Sequence, residues 1–237
     1  METKVKGFVY KKTNFKDNDC MINVLTSDDQ CTAFKARGLL KINSKNSASC
    51  NYFTISEFVL SHKTEFSNKT LKSSSLEKQF HLPYSDLLVS SVFFIIYEIV
   101  SQVCDQIKMY KKTIQVFEWL ENNIDSISIL NHFLKFVCNE LGYKPSLSGC
   151  VSCNRKSNLV SFDFSSGGFI CSSCFDDKVN QKYSSSFLKQ LYDFLKTDDL
   201  YIFDKVYGVM ILDMYVDFLK NNVGIYLNSY EFLKKVL

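Results

Sequence analysis

Two cysteine pairs, Cys150-Val-Ser-Cys153 and Cys171-Ser-Ser-Cys174, constrain this chain more than any other feature. Each CxxC knuckle can aim both sulfurs at one ion, and the pairs stand far enough apart in sequence for a hairpin to bring them together. The stretch from Asn158 to Ile170 reads as a strand, a Ser165-Ser166-Gly167-Gly168 turn and a returning strand. Four sulfur donors close a tetrahedral site and leave no position for water or substrate. The pattern therefore predicts one structural Zn2+ held by Cys150, Cys153, Cys171 and Cys174 in a zinc-ribbon-like hairpin. The same donors also suit an iron centre or a redox dithiol pair.

A chain of 237 residues has room for one large or two small cores. With 21 Phe and 13 Tyr against 8 Gly and 2 Pro, it carries many large apolar groups and few breakers, the composition of a folded protein. The opening Met1-Glu-Thr-Lys-Val-Lys-Gly-Phe is charged and lacks a signal-peptide apolar run, which predicts a reducing, cytoplasmic (nucleoid-associated) setting. There Cys20, Cys31, Cys50, Cys104 and Cys138, which share no recognisable spacing, read as small buried hydrophobes. The apolar run Val92–Tyr97 is cut by Glu98 and Gln102 and is too short to span a bilayer. Net charge is +3, yet residues 1–80 hold 13 Lys+Arg against 8 Asp+Glu, so the basic surface belongs to the first third. Such an excess suits either a solvated basic face or a polyanionic partner.

That first third is strand-like. Short β-branched and aromatic runs at Val5–Tyr10, Met21–Leu25, Cys31–Lys35, Tyr52–Leu60 and, more weakly, Phe66–Leu71 alternate with polar turns at Lys16–Asp19 and Ser27–Asp29. Five short strands predict a small barrel, an OB-fold or an SH3-like one, ended by the serine-rich Ser73-Ser-Ser75. From Pro83 the pattern turns helical, with Ser85 as an N-cap before an apolar helix to about Cys104. Ile127, Leu130, Leu134, Val137 and Leu141 share one helical face, stopped by Gly142 and Pro145. Further helices are expected over Ser184–Lys196, Lys205–Asn221 and from Ser229.

No glycine pattern forms a phosphate-cradling loop, and no nucleophile stands with a base and an orienting group, so the chain reads as a binder and not an enzyme. His132 lies inside a regular helix, which suits a hydrogen-bonded or exposed side chain better than a catalytic base. The polar stretch of greatest interest is Lys35-Ala-Arg37-Gly38-Leu-Leu-Lys41-Ile-Asn-Ser44-Lys45, which leaves a strand and carries four cations through a loop. Loop cations beside a barrel can track a phosphate backbone, with Tyr10, Phe34 or Tyr52 as candidate stacking residues.

Taken in order, these segments resemble the RecO family of bacterial recombination and repair proteins. The resemblance runs through Lys4-Val-Lys-Gly-Phe-Val-Tyr10, the turn Phe15-Lys-Asp-Asn-Asp19, the loop Ala36-Arg37-Gly38 with Lys41 and Ser44-Lys45, the helix end Leu141-Gly-Tyr-Lys-Pro145, and both knuckles with Gly167-Gly168. Lys16 and Asp17 replace the family's Gly and Glu, and Phe218–Gly224 lacks the usual His and paired Arg. The resemblance implies an α+β chain: an N-terminal five-stranded OB-fold barrel over residues 1–78, then an α-helical domain over 79–237 with the four-cysteine zinc module at about 146–178. It also implies a mediator that binds single- and double-stranded DNA, anneals complementary strands and works with RecR and single-strand binding protein to load RecA. Membrane and small-molecule partners are not expected. Lys11, Lys12, Arg37, Lys41 and Lys45 are the expected DNA contacts. The competing expectation is a protein-interaction scaffold that uses the zinc hairpin and helices and leaves DNA alone.

Overall fold

A computed structural model describes residues 1–64 and 67–237 and groups them into two compact units, Met1–Asn123 with Asn228–Leu237, and Ile124–Leu227. None of its described helices is long and apolar enough to cross a membrane.

The first unit is built on β1 (Glu2–Phe15), β2 (Asp19–Thr26), β3 (Cys31–Ala36), β4 (Thr54–Ser61) and β5 (Lys69–Gln79), closed in the order β1-β2-β3-β5-β4. Closure depends on β1. Its first half pairs with β4 and its second with β2, with a bulge between Val9 and Lys11. Gly7 lies where the two ladders overlap, paired with Thr26 on one side and Ser56 on the other. A Cβ there would stand 2.3 Å from the Leu25 carbonyl oxygen and 2.6 Å from Val24 Cγ1, so only glycine lets β1 cross so near β2. Period-two burial fills the interior with Val9, Ile22, Val24, Phe34, Phe58 and Leu60. These features are the expected OB-fold barrel.

The fifth strand differs from its sequence expectation. Phe66 lies outside the described residues, and Ser73-Ser-Ser75 continues the strand instead of ending it. The serines pair with Val59, Phe58 and Glu57 of β4, and Asn46 Oδ1 accepts from both the N–H and the hydroxyl of Ser74 at 3.0 Å. Ladder pairing overrides weak local propensity here.

Four helical segments complete this unit: a 3-10 turn at Leu82–Tyr84, α1 (Leu87–Val103), α2 (Tyr110–Glu121) and the C-terminal helix Ser229–Val236. Asp86, not Ser85, caps α1 by accepting from the Val89 N–H at 3.0 Å. Barrel and helices share an aromatic core in which Phe8 and Phe117 rings stand 5.2 Å apart, Phe93 and Phe117 4.3 Å. The Tyr97 hydroxyl accepts from the N–H of Phe53, a non-glycine residue at φ 61°. The division into compact units thus falls at Asn123, whereas the change from strand to helix is near residue 78.

Helix α2 is not among the helices expected from the sequence, because its start is set from far away. Asp29 Oδ1 accepts from the Met109 and Tyr110 N–H groups at 2.8 and 2.6 Å, so a carboxylate of the polar turn Ser27–Asp29 caps a helix eighty residues on. Cys31 and Cys104 are likewise not independent buried thiols. Their sulfurs meet, with Cα atoms 6.2 Å apart, because the start of β3 and the residue after α1 come together in space despite a separation of 73 residues. Cys20, Cys50 and Cys138 are free and buried, as expected.

The second unit contains α3 (Ser126–Glu140), a three-stranded sheet of β6 (Ser146–Cys150), β7 (Leu159–Asp163) and β8 (Gly168–Cys171) in the order β6-β8-β7, then α4 (Ser185–Lys196) and α5 (Lys205–Phe218). Asp125 and Ser184 cap α3 and α4. A π-helical turn, Leu219–Val223, extends α5 to Gly224 at φ 80°. His132 is buried, and so is Lys135, whose ammonium donates to the carbonyls of Phe194 and Thr197 at 2.8 and 2.5 Å and closes the C-terminal end of α4.

Candidate nucleic-acid interface and candidate metal centre

The basic loop begins where β3 ends. Gly38, at φ 63°, turns the chain, and its N–H donates to Asp19 Oδ1 at 2.8 Å while Lys35 Nζ stands 2.8 Å from Asp19 Oδ2. The Lys35 hydrogen bond, then the Gly38 N–H, hold the Asp19 carboxyl below its ordinary pKa of 3.8. The Leu40 N–H reaches the Asn18 carbonyl at 3.1 Å, which joins the loop to the β1–β2 hairpin tip. Successive turns follow, with Lys41 N–H to Gly38 O, Ser44 N–H to Lys41 O and Ser47 N–H to Ser44 O. Buried Leu39 and Cys50 anchor the two ends. Arg37, Lys41 and Lys45 are consequently exposed on an ordered loop.

On the barrel wall Lys11 is exposed and Lys12 half-buried. The Lys12 N–H donates to the Tyr52 hydroxyl at 3.1 Å, and its ammonium reaches Asn51 Oδ1 at 3.4 Å. Among the described residues none of Lys11, Lys12, Arg37, Lys41 and Lys45 belongs to an ion pair. Other lysines of this unit do: Lys4 with Glu57 at 3.3 Å, Lys72 with Glu2 at 2.5 Å, Lys78 with Glu118 at 2.9 Å, and Lys6 with Glu77. Lys11, Lys12, Arg37, Lys41 and Lys45 thus share with Lys16, Lys63 and Lys69 the lack of an ion pair among the described residues, while Lys4, Lys6, Lys35, Lys72 and Lys78 of the same unit sit against carboxylates.

The stacking candidates fare unevenly. Phe34 is fully buried in the barrel, and Tyr52 packs between Phe94 and Tyr97 with ring centroids 5.5 Å from each. Burial raises the pKa of half-buried Tyr10. Absent from the sequence expectation is Phe15, whose exposed ring has Lys35 Nζ 4.5 Å from its centroid. Its position beside a polar turn is the one local sign of exposure.

In the second unit, parallel pairing of β6 with β8 decides the geometry of the thiols. The strands end on Cys150 and Cys171, so their knuckles emerge at the same end of the sheet. The close approach needs Gly168, where a Cβ would meet the Ser146 carbonyl oxygen at 2.7 Å. All four sulfurs lie within 4.8 Å of one another, and Cys153 Sγ is 3.6 Å from Cys171 Sγ. Tetrahedral sulfurs about 2.3 Å from a central zinc would be about 3.8 Å apart. Burial opposes ionisation of Cys150, yet N–H groups of Cys171, Ser152 and Cys153 bring its pKa down to about 6. Neighbouring thiols push Cys174 up to about 12. Four sulfurs sharing so little negative charge without a cation form a donor set suited to a soft divalent metal.

Two family models match the chain: Recombination protein O N terminal over residues 1–80, and Recombination protein O C terminal over residues 95–231. The chain is similar to proteins named DNA repair protein RecO. It shares 28% identity over 261 residues with that of Mycoplasma mycoides subsp. mycoides, covering 100% of this chain and 99% of the relative. With the Mesoplasma florum protein it shares 26% over 254 residues, covering 99% and 91%. With that of Bacillus pumilus the identity is 24% over 248 residues, covering 100% and 95%. Both family models, matched in order along a barrel followed by a cysteine-bearing helical unit, show that the chain belongs to the recombination protein O (RecO) family.

Proposed function

We propose that this chain is a non-enzymatic mediator of bacterial recombinational repair that works in the cytoplasm. It binds single- and double-stranded DNA, anneals complementary strands and, with RecR, helps load RecA onto DNA coated by single-strand binding protein. The observation that carries this reading is that, whereas Lys4, Lys6, Lys35, Lys72 and Lys78 of the first unit form ion pairs, Lys11, Lys12, Arg37, Lys41 and Lys45 of the same unit form none among the described residues. Those five side chains neutralise phosphates of both strands, which lowers the repulsion between strands while bases find their complements, with counterions released on contact. No nucleophile or open metal position is required, because base pairing drives the reaction.

Zinc is the metal we assign to Cys150, Cys153, Cys171 and Cys174. Filled by four thiolates, the site ties the end of β6 to the end of β8 and has a structural role. Residues 1–78 carry the DNA contacts in this reading, and residues 79–237 the protein contacts.

The test is annealing of complementary strands coated with the cognate single-strand binding protein, without ATP. Wild type accelerates the reaction, and the variant with alanine at Arg37, Lys41 and Lys45 loses that acceleration. Wild type without effect on annealing or DNA binding would favour a protein-interaction scaffold instead.

A further inference from the structure

We infer that Phe15 is a base-stacking platform that gives the barrel its hold on unpaired bases; this rests on the DNA-binding reading above. Phe15 closes β1 at the hairpin tip, paired with Asp19 across a three-residue turn. Among the described residues of the barrel strands and their loops its ring is the one exposed aromatic side chain, at 41%. Phe8, Phe34 and Phe58 are buried, and Tyr52 is held by Phe94 and Tyr97.

The ring has cations for neighbours: Lys16 Nζ at 5.9 Å from its centroid, in no ion pair among the described residues, and Lys35 Nζ at 4.5 Å, which also bonds Asp19. An exposed phenyl ring beside ammonium groups suits a ligand with a flat π face on a phosphate backbone, which describes single-stranded nucleic acid. Bases stacked inside a duplex offer no free face to such a ring. Lys16 itself adopts φ 62°, a conformation glycine takes at less cost, so the turn accepts strain while keeping a cation beside the ring. The same tip is bonded to the basic loop through Leu40 N–H to Asn18 O and Gly38 N–H to Asp19 Oδ1. One end of the barrel therefore carries both an open ring and the exposed cations Arg37 and Lys41.

The experiment compares the full chain with Phe15→Leu and Phe15→Tyr on two probes of equal length and charge, oligo-dT and an abasic oligomer, by fluorescence anisotropy across salt. Wild type should prefer oligo-dT. Phe15→Leu should bind oligo-dT between about 5-fold and about 100-fold more weakly, with abasic binding and salt slope unchanged, and Phe15→Tyr should restore the preference. Equal wild-type affinity for the two probes, or a preference that survives in Phe15→Leu, would overturn the assignment and leave DNA binding standing. No salt-sensitive binding of either probe by wild type would instead remove the underlying DNA reading. Equal loss on both probes in Phe15→Leu would mark a folding role and likewise overturn the platform.

Discussion

If ion pairing decides which cations meet DNA, two triple-alanine variants that remove the same charge will behave differently. One removes Arg37, Lys41 and Lys45, which form no ion pair among the described residues. The other removes Lys4, Lys6 and Lys72, which face Glu57, Glu77 and Glu2. Each phosphate neutralised on a single strand adds about −0.7 to the slope of log affinity against log salt, so five contacts give about −3.5. Raising salt from 50 to 200 mM would then weaken wild type by about 100-fold, and the first variant, with two contacts left, by about 7-fold. The second variant should keep a slope near the wild-type value. Its ion pairs are exposed and contribute only about 0–1 kcal/mol each, so folding should survive their loss. Anisotropy titrations of a labelled oligonucleotide at four or more salt concentrations measure both slopes. Equal reductions would refute the reasoning, because they would mean that DNA senses only the total charge of the unit.

Gly7→Ala should cost about 3 kcal/mol, because the new methyl meets the Leu25 backbone at 2.3 Å and β2 must move; a thermal melt indistinguishable from wild type would contradict the close approach. Lys135→Met leaves the Phe194 and Thr197 carbonyls without their donor and should cost about 1–3 kcal/mol by urea unfolding, with faster amide exchange in the last turn of α4. Because Lys35 and Gly38 hold the Asp19 carboxyl below 3.8, its contribution is present above the unfolded pKa and is lost as pH falls through the lower folded value. Asp19→Asn should therefore be less stable at pH 7 and lose less stability than wild type on acidification below about pH 4, read from urea midpoints across pH. A chelator should release one zinc per chain, expose four thiols to a colorimetric reagent and increase amide exchange in β6, β7 and β8; metal-free protein with unchanged exchange there would exclude a structural metal.

Features legible in the sequence share a short range. Alternation over a few residues marks β2 and β3, three- and four-residue spacing marks α3, and each CxxC pair marks its own knuckle. What escaped depends on partners distant in the chain. Asp29 looks like a solvated turn residue until Met109 and Tyr110 arrive, and Lys135 looks like a helix-surface cation until the end of α4 covers it. Ser73–Ser75 reads as a linker because serine has no strand preference, yet the β4 ladder and Asn46 fix it. Cys31 and Cys104 carry no spacing signal because a barrel strand and a helix end bring them together.

The same limit applies to the candidate site and changes what its charge means. A tally over residues 1–80 counts Lys4 and Lys41 alike. In the fold β1 pairs with β4, which sets Glu57 opposite Lys6 and diagonal to Lys4, whose ammonium it meets at 3.3 Å. Lys41 sits in a loop whose acidic neighbour Asp19 is already engaged by Lys35 and Gly38. Asp19 thus holds the loop in place while Lys35 takes up its charge, so the loop gains order at the cost of one of its four cations and leaves Arg37, Lys41 and Lys45 out of ion pairs among the described residues. Strand register, through the ion pairs it permits, therefore decides which of the cations proposed for DNA contact stand apart from carboxylates, and a basic composition becomes a located candidate only once that register is known.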